Sequence, residues 1–164
     1  MARCLIIGCG CRGQLLASEL IAHGHAVRGT TRDADRAGAI EAVGAEPVLG
    51  DPDRVATLAR ALDHVTVACI LLGSAAGTSA QLTALHGSRL QMLLSRMLDT
   101  TVRGIVYEAE GSVGPALLSV GAGHVRALCQ DARIPFALLR ADPAEHSAWV
   151  REALDAVDRV LRPR

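Results

Sequence analysis

The sequence contains no lysine, because all 17 of its basic residues are arginines. This absence excludes the phosphate-binding lysine of a Walker A loop and any mechanism that passes through a lysine Schiff base. It also excludes a catalytic tyrosine that depends on a lysine neighbour to lower its pKa. Any chemistry of this chain must therefore work without a lysine amine.

Aromatic residues make up only 2% of the 164-residue chain, whereas hydrophobic residues make up 50%. Such an aliphatic core suits helices packed on a parallel sheet, whose strands are buried on both faces. Scarce aromatics leave little stacking surface for single-stranded nucleic acid, and a formal net charge of zero gives no general attraction to a phosphate backbone. We therefore expect a packed globular protein with no nucleic-acid partner.

We expect no secretory leader, and no apolar run approaches the ~20 residues that span a bilayer. Its cysteines form an odd set without compact disulfide spacing, at Cys4, Cys9, Cys11, Cys69 and Cys129. Cys9-x-Cys11 lacks a second Cys or His pair at the spacing of a zinc site, so no metal site is predicted. These features predict a cytoplasmic protein with reduced thiols and no membrane association.

What is present is a regular alternation of short apolar runs with helical patterns. We predict strands at 4–7, 26–30, 46–49, 65–72, 104–107 and 135–139. The intervening segments predict helices at 14–22, 33–43, from 51–52 to about 62, 80–98, 115–132 and 145–161. Six strands separated by helices require right-handed crossovers. The pattern therefore predicts an α/β, three-layer, doubly wound Rossmann fold, with a six-stranded parallel sheet in the order 3-2-1-4-5-6 and one domain over 1–164.

A glycine pattern follows the first predicted strand and opens the first helix, as Gly8-x-Gly10-x-x-Gly13. In a dinucleotide site the first glycine makes the tight turn, the second lets the pyrophosphate approach, and the third lets helix and strand pack closely. A turn that merely needs glycines is the alternative explanation. The predicted cofactor contacts of this loop and of the segment after strand 4 are Gly8, Gly10, Cys11, Arg12, Gly13, Leu72, Gly73 and Ser74.

The end of strand 2 distinguishes the two nicotinamide cofactors. An NAD site places a carboxylate there for the ribose 2′-hydroxyl, whereas this chain has Thr30-Thr31-Arg32. An arginine pairs bidentately with phosphate oxygens, so Thr31 and Arg32 favour NADP(H) over NAD(H). Asp33 is the alternative acidic residue, and a helix N-cap is its competing explanation.

The loop thiols allow a further interpretation. A helix N-terminus lowers the pKa of a nearby thiol, so Cys9 or Cys11 could be sensitive to oxidation. Two small residues in a crowded loop are the simpler explanation.

Two stretches resemble a known superfamily: CLIIGCGCRGQLLA at 4–17 and AHGHAVRGTTR at 22–32. They resemble the start of atypical and extended short-chain dehydrogenase/reductase proteins, which include the NAD-dependent epimerase/dehydratase-like and NmrA-like families. The resemblance covers roughly the first 75 residues and is only topological afterwards. It also implies that Asp51, in a Gly-Asp pair after strand 3, contacts the cofactor near the adenine, although helix capping would explain Asp51 equally well.

The chain departs from this superfamily after strand 5, where a Ser or Thr and then Tyr-x-x-x-Lys are usual. Here Tyr107 is followed by Glu108 and no lysine, and we expect the C-terminal substrate region of extended members to be missing. Tyr107, Glu108 and Ser112 are therefore the predicted residues for proton handling or substrate contact. Exposed loop carboxylates are common, which is the alternative for Glu108.

These observations predict an NADP(H)-binding protein of the atypical short-chain reductase type, acting on an unidentified small molecule. The alternative is a non-catalytic NmrA-like sensor of NADP(H) that acts through a protein partner. The helix predicted at 80–98 could add a homodimer face, although a core-facing stripe would explain the same residues: Leu82, Leu85, Leu90, Leu93, Leu94 and Met97.

Overall fold

The computed structural model describes residues 1–163, so the last residue of the predicted domain 1–164 lies outside the described residues. The strands are β1 (Arg3–Ile7), β2 (Ala26–Thr31), β3 (Glu46–Leu49), β4 (Val67–Ile70), β5 (Gly104–Glu108) and β6 (Phe136–Leu139). The α-helices are α1 (Cys11–Ala22), α2 (Ala37–Ala42), α3 (Ser79–His86), α4 (Ser88–Met97), α5 (Pro115–Ala132) and α6 (His146–Leu161). Short 3₁₀ turns cover Ala34–Arg36, Val55–Leu58 and Arg60–Leu62.

The six strands form one parallel sheet in the order β3-β2-β1-β4-β5-β6, as predicted. Helices α1, α2 and α6 pack on one face, where Trp149 and Ile40 are fully buried. Helices α3, α4 and α5 and the two later 3₁₀ turns cover the other face. The predicted α/β Rossmann architecture is therefore confirmed, and its order reverses between β1 and β4.

Burial on both faces explains why the strands are read so readily from the sequence. Every residue of β4 and β5 is buried, so these strands are nearly continuous apolar runs rather than alternating ones. The carboxyl ends of β1, β2 and β4 lie side by side, which brings Gly8, Arg32 and Leu71 to one edge of the sheet. This edge is where a ligand of a doubly wound sheet binds.

The prediction of an α-helix that begins at Asp51 is wrong. Asp51 caps no helix; its Oδ1 accepts a hydrogen bond from the N–H of Asp53 at 2.9 Å, which turns the chain. Two 3₁₀ turns follow, at Val55–Leu58 and Arg60–Leu62. Turns with three residues per repeat bury Ala61 and expose Ala59, which a regular α-helix would have faced inward with Leu58 and Leu62.

The long helix predicted at 80–98 is divided at Gly87 into α3 and α4. Gly87 has φ −111° and ψ −107°, and a Cβ there would lie 2.7 Å from the carbonyl oxygen of Thr83. The six residues proposed as a dimer face have roles within this chain. Leu90, Leu93, Leu94 and Met97 are buried in the core, and Leu82 and Leu85 line the cleft described below.

Within residues 1–163, no helix combines the length and the apolar character that crossing a bilayer requires.

Candidate functional site

A cleft of about 680 Å³ runs along the carboxyl edge of β1, β2 and β4. Its volume falls in the range of small-molecule and cofactor sites. Ten of the eleven residues predicted to contact a cofactor line this cleft, and Gly73 is the exception: Gly8, Gly10, Cys11, Arg12, Gly13, Thr31, Arg32, Asp51, Leu72 and Ser74. The residues predicted from the sequence therefore lie together on one concave surface.

The glycine loop has the backbone that its three glycines suggest. Gly8 lies at φ +84°, and a Cβ there would come within 2.6 Å of the carbonyl oxygen of Leu71. A Cβ at Gly13 would lie 3.2 Å from a methyl of Ile6, so α1 approaches β1 closely. At Gly10, by contrast, nothing lies within 4 Å of the position of a Cβ, and this space opens into the cleft.

Thr30, at the end of β2, holds this loop from beneath. Its buried Oγ1 accepts a hydrogen bond from the N–H of Gly8 at 3.1 Å, and its carbonyl oxygen accepts one from the N–H of Cys9 at 3.0 Å. Gly29 lets Cys9 pack against β2, because a Cβ there would lie 2.7 Å from its Sγ. The loop is therefore preformed by contacts with β2.

The N-terminus of α1 is suited to an anion. Gly10 is its N-cap, and no side chain caps the first N–H groups of the helix. These donors carry the positive end of the helix dipole and lie at the floor of the cleft. The open space at Gly10 and the uncapped N–H groups together fit a diphosphate.

The far end of the cleft carries two exposed arginines, Arg32 and Arg36, beside Thr31. Asp33 caps the following 3₁₀ turn, since its Oδ1 accepts from the N–H of Asp35 at 2.9 Å. Its other oxygen lies 4.0 Å from Nε of Arg36. Asp33 thus caps the turn, and both arginines border the open space of the cleft.

The segment after β4 forms the opposite wall. Leu72 and Ser74 line the cleft, whereas Gly73 is buried and its N–H donates to Oε1 of Glu108 at 2.9 Å. The N–H of Ser112 donates to Oγ of Ser74 at 3.3 Å, which joins this segment to the loop after β5. Ser112 itself is exposed at the side of the cleft wall rather than lining it.

Tyr107 does not reach the cleft. Its ring is fully buried on the α3–α5 face, and its hydroxyl donates to Nδ1 of His86 at 2.6 Å, while Nε2–H of His86 donates to the carbonyl of Leu72 at 3.0 Å. Burial raises the pKa of Tyr107, with the nearby Glu108 adding to the shift. The structure thus gives this hydroxyl a structural partner, and a proton-donating role for it stays a prediction that the geometry does not favour.

His86 should make stability depend on pH. Burial lowers the pKa of His86 from its usual 6.5. The unfolded chain therefore binds the proton first, so stability is full above about pH 6.5 and falls as the pH drops towards the lowered pKa. We expect urea unfolding between about pH 7.5 and pH 5 to show a steeper loss for the wild type than for His86→Gln, which keeps a donor and an acceptor but does not titrate. Parallel profiles would contradict this role.

Glu108 is also fully buried, on the opposite face of the sheet from Tyr107. Burial raises the pKa of its carboxyl, while Arg12, the N–H of Gly73 and the indole N–H of Trp149 act in the opposite direction. Glu108 therefore lies behind the glycine loop and not on the cleft surface, so a direct contact with substrate stays a prediction.

The loop cysteines differ from each other. Cys9 is buried, and burial raises the pKa of its thiol to about 12, which opposes thiolate chemistry. Cys11 is exposed at the first position of α1 and lines the cleft. The helix-terminus argument for an activated thiol therefore fails for Cys9.

Several cleft residues are not apparent from the sequence. Arg36 follows Arg32 by four positions, a spacing that could have indicated it. Gln81, Leu82 and Leu85 reach the cleft from α3, and Trp149 reaches it from α6. Nothing in their local sequence links them to the loop, because tertiary packing alone brings these helices to the same edge.

Comparisons with known proteins agree with this geometry. A family model described as NAD(P)H-binding matches residues 8–115. No curated protein matches the chain. A short-chain dehydrogenase/reductase superfamily protein from Agrobacterium tumefaciens with bound NAD is 18% identical, with a TM-score of 0.69, covering 84% of this chain and 48% of that one.

Two further solved structures have the same fold. UDP-glucuronic acid 4-epimerase from Bacillus cereus, in complex with NAD, is 14% identical with a TM-score of 0.68, covering 84% of this chain and 55% of that one. Triphenylmethane reductase from Citrobacter sp., complexed with NADP(H), is 21% identical with a TM-score of 0.64, covering 84% of this chain and 48% of that one. The chain spans about half the length of these structures.

The family match covers well over half of the chain, including the glycine loop and most of the cleft. The structural neighbours share its fold. This chain therefore belongs to the NAD(P)H-binding family.

Proposed function

We propose that residues 1–164 act as one unit that binds NADP(H) in the cleft and takes part in hydride transfer, as an atypical short-chain reductase. The observation that supports this proposal most directly is that a single cleft runs from the glycine loop to Arg32 and Arg36. The structural neighbours reported above include two complexes with NAD and one with NADP(H), so the preference for NADP(H) rests on these two arginines.

Each part of the cleft has a role in this proposal. The N–H groups at the start of α1 bind the diphosphate, with Gly10 leaving room for it. Thr31, Arg32 and Arg36 bind the 2′-phosphate, because a guanidinium pairs bidentately with phosphate oxygens. Asp51 lies beside the adenine, and Leu72 and Ser74 form the facing wall.

When bound, NADP(H) would supply the hydride. The chain itself must then supply or relay a proton. Ser112 is exposed on the loop next to Ser74, whereas Tyr107 is enclosed in the core. We therefore assign proton delivery to Ser112 or to water rather than to Tyr107.

Arg32→Glu tests the cofactor assignment. We expect this variant to weaken NADPH binding by at least ~30-fold, because a charge-assisted pair of about 2 kcal/mol is replaced by repulsion. NADH lacks the 2′-phosphate, so its affinity should change by less than about threefold. Fluorescence titration of reduced cofactor gives both dissociation constants.

The matched control is Arg126→Glu, which makes the same charge change on an exposed position of α5 away from the cleft. It should leave both affinities unchanged. Equal losses of NADPH and NADH in Arg32→Glu would reject the NADP(H) preference. Absence of binding of either cofactor to the wild-type protein would reject the proposed function itself.

A non-catalytic NADP(H) sensor is the second candidate, and the burial of Tyr107 and Glu108 supports it. A sensor binds NADPH but does not consume it. Following the absorbance of bound NADPH with a panel of aldehyde and quinone acceptors separates the candidates. Turnover by the wild type supports the reductase, and its loss in Ser112→Ala would assign the proton to Ser112 rather than to water. Binding without turnover across the panel supports the sensor.

A further inference from the structure

A buried cluster of three side chains lies directly behind the glycine loop. Oε2 of Glu108 accepts hydrogen bonds from the indole N–H of Trp149 at 3.0 Å and from Nη2 of Arg12 at 3.5 Å. Oε1 of the same carboxyl accepts from the N–H of Gly73 at 2.9 Å. Glu108 therefore joins α1, the segment after β4, and α6.

Arg12 is held in this cluster from two sides. Its guanidinium carbon lies 5.6 Å from the centre of the Trp149 ring, a distance at which a cation is attracted to the π face. The side chain is only 25% exposed, and its Nε is buried without a hydrogen-bond partner. Arg12 thus meets the cleft as an ordered cation with one unused buried donor.

The cluster is a costly way to build a core. Taking a carboxylate and a guanidinium out of water is unfavourable, and an apolar replacement of both is often as stable. Trp149 and Glu108 are both fully buried, so water does not reach the carboxylate of the Arg12–Glu108 pair to stabilise its charge. Its position against the glycine loop, rather than elsewhere in the core, points to a role in ligand binding.

We propose that Glu108 and Trp149 are positioning residues that hold Arg12 for the cofactor diphosphate, and that diphosphate binding to Arg12 is coupled to protonation of Glu108. This inference rests on the proposed dinucleotide binding and assigns a mechanism to its central subsite. Holding a long side chain in place removes part of the entropy cost of binding.

The coupling follows from the charges that face Glu108. Arg12 is the charged side chain that contacts it among residues 1–163, while the β4 segment and α6 contribute N–H groups. A diphosphate brings two negative charges, and one guanidinium cannot neutralise these and a buried carboxylate together. Burial raises the pKa of the Glu108 carboxyl, which acts in the same direction. Binding should therefore draw a proton onto Glu108.

The positioning role is tested with two ligands that share the adenosine. ADP-ribose carries the diphosphate, and adenosine 2′-monophosphate does not. Calorimetric titration should show that Trp149→Leu and Arg12→Met each weaken ADP-ribose by ~10-fold or more, as expected for loss of a desolvated cation–π contact or a charged hydrogen bond. The affinity for adenosine 2′-monophosphate should change by less than about twofold.

Two further variants separate positioning from packing. Trp149→Phe keeps a π face but loses the N–H that Glu108 accepts, so its loss should be intermediate. Val157→Ala removes methyl groups from another fully buried position of α6, with no contact to Arg12 among those described. It should reduce thermal stability without changing either affinity. Equal losses of both ligands in the Trp149 variants would mean a structural role only and overturn the proposal.

The protonation is tested by the pH dependence of ADP-ribose binding, because this ligand has no phosphate that titrates near neutral pH. The wild-type affinity should rise as the pH falls from about 8 towards 5, as Glu108 gains its proton. Glu108→Gln removes the group that titrates, so its affinity should be independent of pH over this range. A flat wild-type profile with normal binding would refute the coupling. Wild-type protein that binds no dinucleotide would instead reject the function on which it rests.

Discussion

Gly10→Val is expected to abolish dinucleotide binding while leaving the protein folded. Gly10 has φ −82°, which any residue can adopt, and no atom lies within 4 Å of the position of its Cβ. A branched side chain there would fill the open space at the start of α1, where the diphosphate must approach. We expect an affinity loss of at least ~100-fold for both NADPH and NADH.

The free energy of unfolding of Gly10→Val should change by only about 1 kcal/mol, because valine is a poorer N-cap than glycine. Gly8→Val offers the contrasting result. Its φ of +84° and the 2.6 Å approach to the Leu71 oxygen should destabilise the fold by several kcal/mol. Gly38→Val, in open space on the exposed side of α2, controls for the substitution itself. Normal cofactor binding by Gly10→Val would exclude this loop as the diphosphate site.

Arg28→Met is expected to cause a large loss of stability. Arg28 lies on β2 and is 6% exposed, with Nη1 donating to the carbonyl oxygens of Ala61 at 2.7 Å and Asp63 at 2.9 Å. These carbonyls lie at the end of the third 3₁₀ turn, Arg60–Leu62. Removal of the guanidinium leaves the buried carbonyl of Ala61 and the partly buried carbonyl of Asp63 without this donor, at a cost of about 3–5 kcal/mol.

Two controls identify which contact of Arg28 matters. Its Nε also pairs with Glu46 at 3.0 Å, but the Glu46 side chain is 61% exposed, so that ion pair contributes little. Glu46→Gln should therefore change the free energy of unfolding by less than about 1 kcal/mol. Arg60→Met removes an exposed arginine from the same turn and should be nearly neutral. Chemical unfolding measures all three; a large effect of Glu46→Gln would assign the stabilisation to the ion pair instead.

The location of Arg28 makes its effect separable from function. It lies in the amino half of β2, whereas the cleft begins at the carboxyl end of that strand, at Thr30 and Thr31. The folded fraction of Arg28→Met should therefore bind cofactor with unchanged affinity.

Elements with a strong local signal were predicted well from the sequence. Helix α5 and strand β3 have the predicted bounds, because Pro115 and the short apolar run at 46–49 are local features. The segments at 51–62 and 80–98 were predicted wrongly in form. Their apolar spacing is compatible with an α-helix, and the choice of 3₁₀ turns or a break at Gly87 depends on packing against the sheet.

The sequence by itself determined the parallel sheet, the glycine loop and the residues at the end of β2. The apolar runs indicate the strands, and the spacing of the glycines indicates the tight turn of the loop. The residues at the end of β2 are adjacent in the chain, so they lie together in any fold. Only the tertiary structure decided where the last two side chains of β5 lie. Successive residues of a strand face opposite sides of the sheet, so Tyr107 meets His86 on one face and Glu108 meets Trp149 and Arg12 on the other. Those partners come from distant helices, which no local pattern at 107–108 could indicate.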